Sequence, residues 1–367
     1  MSGLVFHSVE PESNKSTFGE FDTVDFVIAT DRNLVKNSVR IEGVLEVEKT
    51  TGQRATYTDR IYMNPRVGAH SLVESCRTEV AGSIVENIKT DYPRFVHMMQ
   101  SATKSPDDYF AGSQLCEMKC STVDGAIAYA CGKGDKTDQG QVFGDHDFSF
   151  KPVIALNRSD GDVEMRRLGN EIRVSINLAR KENALAGFGQ VATSNYIIRD
   201  LRLTYTTAPP APVPQVSMRS VVDIKSVLQS SNANISTRVP AVCQGVSVSF
   251  LKQSKENALG LMTDALEKPP NLSEVQFLFN DASNQLVQFQ LKDYGEYMDG
   301  YLESFKSGGV SSANPQTIKG NAVFGVGLDF GSSVDLSQNK FSVQLKSDVS
   351  NANQYVMYLF FHSQISL

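Results

Sequence analysis

Apolar and polar residues alternate along most of this chain. The stretches 24–29 (VDFVIA), 39–48, 172–179, 196–205, 246–251, 275–280, 286–291, 323–330 and 341–346 place Val, Ile, Leu, Phe or Tyr at every second position, or nearly so. A period of two marks a strand with one buried face, and β-branched and aromatic side chains suit the pleated surface. Turn clusters separate these runs: TDRN at 30–33, SSNAN at 230–234, NDASN at 280–284 and SGGVSSANP at 307–315. Strands therefore follow strands, which predicts an all-β chain of antiparallel sandwiches rather than a parallel α/β sheet.

Helical spacing is rare. Residues 84–105 are compatible with a helix after Pro93, and 292–307 bring Tyr294, Met298, Tyr301, Leu302 and Phe305 near one stripe. The pentapeptide KENAL occurs at 181–185 and 255–259 and can start a short helical turn. Its offset does not match a repeat of half the chain, so it reads as coincidence. The run YVMYLFF at 355–361 has strand length, and it predicts a paired strand in a core or a subunit contact.

Four prolines crowd into 209–214 (PPAPVP) of a chain that has 13. Proline fixes φ and removes a donor, so this run predicts an extended polyproline-II strut reaching roughly 25 Å. A chain of 367 residues exceeds the usual size of one core. The expected organisation is a first domain over 1–207, a linker over 208–215 that spaces the two, and a second domain over 216–367.

Composition narrows the function. With 41% hydrophobic and 21% charged residues the chain is that of a globular protein, and a net charge of −6 argues against a nucleic-acid surface. The first twenty residues hold neither a basic start nor an apolar core, so no secretory signal is read, and no apolar run reaches the ~18 residues of a membrane span. Without that route the sequons at Asn14, Asn157, Asn234 and Asn271 carry little meaning. Five cysteines, an odd number, favour free thiols.

Candidate chemistry is sparse. Cys116, Cys120 and Cys131 with His146 would make four zinc ligands, but their spacing fits no standard knuckle. His146 lies between Asp145 and Asp147 in GDHDF, and an acidic turn is the commoner meaning of that pattern. CGKGDKTDQG at 131–140 fails the phosphate-loop pattern, and Asp107 and Asp108 have no assignable partner chemistry. No nucleophile elbow or HExxH motif occurs. The expectation is no catalytic, cofactor-binding or metal-binding residues, no cofactor, and no enzymatic activity.

The stretches DFVIATDRNLVKNSVRIEGVLEVE, NPRVGAHSLVESCRTEVAGSIVENIKTDYPRFVHMM, KPVIALNRSDG, IRVSINLARKENAL and YIIRDLRLTY resemble the first barrel of double jelly-roll major capsid proteins. That lineage includes adenovirus hexon, tailless membrane-containing bacteriophages and large eukaryotic DNA viruses. In the second half VFGVGLDFGSSVDLSQNKFSVQLKSD and YVMYLFFHS are similar in style. The resemblance implies two tandem jelly-roll β-sandwiches with a few short helices in the connections. It also implies a pseudo-hexagonal homotrimer that tiles an icosahedral virion shell beside neighbouring capsomers and penton or minor capsid proteins. Loops at 104–147 and 306–321 would form outer towers able to meet a host receptor. Members that lie over a membrane often carry an amphipathic or basic N-terminal segment, which the polar, weakly acidic stretch from Met1 to Glu20 does not match. The rival reading is a two-domain β-sandwich ligand-binding module, a lectin or viral attachment protein.

Overall fold

The computed structural model describes residues 3–56, 59, 61–64, 67–103, 121–123, 126–128, 145–186, 190–238, 242–258, 266–279, 284–290, 325–335, 340–350 and 353–366. Among them, sixteen strands have five residues or more, eight before the proline run and eight after it. The first eight are β1 (Val5–Val9), β2 (Thr23–Ala29), β3 (Arg40–Lys49), β4 (Val73–Val80), β5 (Ser83–Ile88), β6 (Asp145–Phe150), β7 (Glu171–Leu178) and β8 (Ser194–Ala208). A helix α1 (Tyr92–Thr103) follows β5. The second eight are β9 (Ser217–Leu228), β10 (Asn232–Arg238), β11 (Val242–Lys252), β12 (Glu274–Phe279), β13 (Asn284–Gln290), β14 (Val326–Asp335), β15 (Lys340–Lys346) and β16 (Tyr355–Ser366).

The predicted period of two is visible in burial. In β2 the side chains of Val24, Phe26 and Ile28 are buried while the residues between them are not, and β7 buries Ile172, Val174, Ile176 and Leu178 in the same way. These two strands pair in antiparallel register with Val174 opposite Phe26, so their apolar rows coincide on one face. A second sheet with β6, β3 and β8 adjacent, and with β1 along the other edge of β8, covers that face with Ile41, Leu45, Val47 and Leu203. This closes the first sandwich.

The sheet that holds β2 and β7 does not end with the first sandwich. Its eight strands run β14-β11-β16-β9-β5-β4-β7-β2, so four come from each half of the chain. Every neighbouring pair in it is antiparallel except β5 and β9, which meet in parallel at Val222 and Asn87. The second-half strands are faced by a four-stranded sheet, β10-β15-β12-β13, around Val248, Phe250, Phe277, Phe341 and Val343.

Strand β16 explains why residues 355–361 show no alternation. Tyr355, Met357, Leu359 and Phe361 enter the core of the second sandwich, whereas Val356, Tyr358 and Phe360 enter the other core, behind the sheet. There Phe360 meets Phe95 of α1 with ring centroids 5.3 Å apart. A strand covered on both faces reads as a continuous apolar run.

Several expectations need correction. Residues 84–88, placed in the helical segment, are strand β5, and α1 starts at Tyr92 with Pro93 in its first turn, where a missing N–H costs nothing. GDHDF is not a turn: Asp145–Phe150 pair with Ile41–Glu46, which also shortens the loop expected over 104–147. The turn expected over 230–234 gives way to β10 at Asn232. The proline run does not space the sandwiches, because they share a sheet. It lies along the first one, where Asn33 Nδ2 donates to Ala211 O at 2.8 Å and Arg167 Nη2 to Val213 O at 3.2 Å. The expected helix over 292–307 and the loop over 306–321 lie outside the described residues.

Pairing registers also sort the connections. Lys49 opposes Ser194, Tyr355 opposes both Leu228 and Lys252, and Glu274 opposes both Gln290 and Lys346. The Asn183 Nδ2 to Asn257 Oδ1 bond of 2.9 Å ties the two groups of strand ends together, so the longest connections leave from one end of the molecule. It also joins the two KENAL copies in space.

Because Val356, Tyr358 and Phe360 belong to the core of the first sandwich, the halves are expected to unfold together. Calorimetry should give one transition, lowered by Phe277→Ala at a cost of about 4 kcal/mol. Two resolved transitions would contradict this.

Candidate functional site at the seam between the sandwiches

Where β5 meets β9, backbone pairing is brief, and side chains complete the junction. Strand β5 stops at Ile88, leaving the N–H groups of Lys89 and Thr90 without strand partners. Asp223 of β9 supplies them: its Oδ1 accepts from Lys89 N at 2.6 Å and its Oδ2 from Thr90 N at 3.0 Å and Thr90 Oγ1 at 3.1 Å. Asp160 and Ser217 make a second clasp, with Ser217 N donating to Asp160 Oδ1 at 2.9 Å and Asp160 N to Ser217 O at 3.0 Å.

Below the seam lies an ionic cluster. Glu86 projects from β5 into the core and is fully buried. Arg158 Nη2 reaches Glu86 Oε1 at 2.5 Å, and Ala155 N donates to Oε2 at 2.7 Å. The Arg158 guanidinium lies 5.2 Å from the Phe95 ring. Burial outweighs these partners and pushes the Glu86 carboxyl above its ordinary range.

A second arginine crosses from α1 to β16. Arg94 is fully buried, pairs with Asp91 at 3.6 Å, and stacks its guanidinium 4.0 Å over the Tyr358 ring. Tyr358 OH donates to Glu256 Oε1 at 3.0 Å, and Lys225 pairs with the same carboxylate. Loss of solvation pushes Asp91 up to about 6 even with Arg94 beside it. His362 is fully enclosed on β16, shares a 2.7 Å hydrogen bond with Ser247 Oγ, and is held down to about 3, first by burial and then by Arg158 and Arg219.

This arrangement stores no reactive group in an accessible cleft. It joins the two sandwiches through Asp223 on Lys89 and Thr90 and through Arg94 over Tyr358. Of the residues weighed for chemistry, Cys116, Cys120, Cys131, Asp107 and Asp108 lie outside the described residues. His146 sits in β6 opposite Leu45. Among the described residues no group of three or more His, Cys, Asp or Glu could hold a metal ion, and no helix is long and apolar enough to cross a membrane. Cys76 and Cys243 are buried free thiols, and burial pushes the Cys243 thiol up to about 12. Sequence reasoning missed Glu86, Asp91, Arg94, Arg158 and Asp223. The only available signal was Glu86, a charge on the inward row of I-V-E-N-I.

Neither a protein-family model nor a curated protein matches this chain. Solved structures do. The Faustovirus major capsid protein aligns over 100% of this chain and 90% of its own, with a TM-score of 0.63 at 9% identity. The PBCV-1 virus capsid model gives 0.58 at 11% identity, covering 100% and 95%. The mavirus major capsid protein gives 0.54 at 10%, covering 99% and 90%. The fold is the double jelly roll. The match spans both sandwiches at once.

Asp223→Ala should cost about 3 kcal/mol in urea unfolding, because two backbone donors at the seam lose their acceptor, and an unchanged midpoint would contradict the clasp. The titrations oppose each other. The stability that depends on neutral His362 is present above pH 6.5 and lost as pH falls towards 3, whereas that tied to Asp91 is present below 3.8 and lost as pH rises through about 6. Relative to the parent, His362→Gln should therefore regain on the order of 1 kcal/mol per pH unit below 6.5. A pH-independent difference would refute the assignment.

Proposed function

We propose that this chain is a major capsid protein whose trimers, nearly hexagonal in outline, tile an icosahedral virus shell. The observation that carries the reading is the whole-chain match of two sandwiches, joined through one sheet, to viral capsid structures. Two similar sandwiches in one subunit, repeated three times around an axis, give six similar walls, which suits a lattice of hexagons. The role is structural and involves no reaction.

The division of the chain is taken as a first jelly roll over 1–207, a connection over 208–215 and a second over 216–367. The end from which the longest connections leave would face outward, with the loop after α1 and the loop over 306–321 as towers open to a host receptor. Neighbouring capsomers and penton or minor capsid proteins would meet the sides, and the protein would reside in the virion. The acidic balance of the chain supports a shell that does not bind nucleic acid directly.

Light scattering on the purified protein should give three times 40.2 kDa, with hexagonal outlines in negative stain. A monomer that persists across salt and protein concentration would overturn the proposal.

A further inference from the structure

The outer face of the four-stranded sheet carries a chemistry that shell-building does not use. Strands β10, β15 and β12 are in register there, with Asn234 opposite Gln344 and Gln344 opposite Gln276. Three carboxamides thus lie in one row, spaced about 5 Å apart. The next row brings Asn232, Lys346 and Glu274 side by side in the same way. None of these six side chains has a hydrogen-bond or ion-pair partner among the described residues, and all six are exposed or half-buried. A groove of about 370 Å³ runs along five of them, lined by Asn232, Asn234, Glu274, Gln344 and Lys346 together with Ala233 and Leu345, with Gln276 beside it in the same row.

The residue types limit what can occupy it. A carboxamide both donates and accepts, as does a hydroxyl, so a row of them suits a ligand whose surface is a set of hydroxyl groups. Glu274 and Lys346 offset each other, which gives no net attraction to phosphate or to a polycation. A protein partner would call for an apolar centre, with aromatic or Met side chains. The exposed large hydrophobic residues among those described are Leu4, Val5, Phe6, Phe21, Ile84, Val227 and Val242, and none lies on this face. The groove has the volume of a small-ligand site.

We propose that this face binds a neutral saccharide, with Asn234 and Gln344 hydrogen-bonding its hydroxyls and Glu274 and Lys346 closing one end. This goes beyond the structural role and does not depend on it. The site is shallow and lacks an aromatic platform, so affinity near 1 mM is expected.

The test is saturation-transfer NMR on the full chain with the methyl glycosides of galactose, mannose, glucose and N-acetylglucosamine. At least one should receive saturation, and Asn234→Ala with Gln344→Ala should weaken it at least tenfold, while Asn14→Ala changes nothing. The substitutions are on a solvent face, and an unchanged melting temperature would confirm folding. No transfer to any glycoside, or transfer unchanged in the double variant, would overturn the proposal. A change in the oligomer's mass in the double variant would overturn it too, by making this face a contact between copies.

Discussion

The architecture depends on strand β16 being buried on both faces. A central strand with one wet face could belong to one sandwich and leave the other to find it through a linker. Here alternate residues of a single strand fill two cores, so the first core is not complete without Val356, Tyr358 and Phe360 from the second half of the chain. The rest follows from covering the second face. Helix α1 must pack behind the sheet, and β5 must come alongside β9. The polar ends that this junction creates must then be satisfied by Asp223, Glu86 and the two arginines.

That junction also explains why ionisable groups are enclosed at all. Glu86, Asp91 and Asp223 are each raised by loss of solvation, and their partners offset this only in part. Such pairs contribute little net stability compared with an apolar substitute, but a mispaired seam would leave a bare charge in the core. Their contribution is to the choice of arrangement. His362 responds to acid in the opposite sense to the carboxyls, so it offsets part of their dependence on pH.

Much of the fold was legible in the sequence because one-faced strands advertise themselves. The rows Val24, Phe26, Ile28 and Ile172, Val174, Ile176 can be placed on an inward face from their spacing alone. The pattern failed where neighbours changed the meaning of a residue. Asp145, His146 and Asp147 looked like a turn because three polar residues adjoin, yet on an edge strand polar residues are compatible with pairing. Strand β9 gives no clear alternation because its buried set includes Ser220 and Asp223, whose burial only the approach of β5 explains. The seam residues come from β5, α1, β9 and the turn at Arg158, so no local spacing could have brought them together. The row of Asn234, Gln344 and Gln276 was hidden for the same reason, since it depends on register between strands far apart in sequence.

The proline run, held along the flank of the first sandwich by Asn33 and Arg167, also limits how far β9 can stray from β5. A short connection with little conformational freedom keeps β9 at high effective concentration beside β5. The parallel contact at Val222 and Asn87 is of the kind that chains find slowly, because its strands cannot meet through a tight hairpin. A stiff tether turns that search into a local one and disfavours pairing of β9 with the sheet of another molecule.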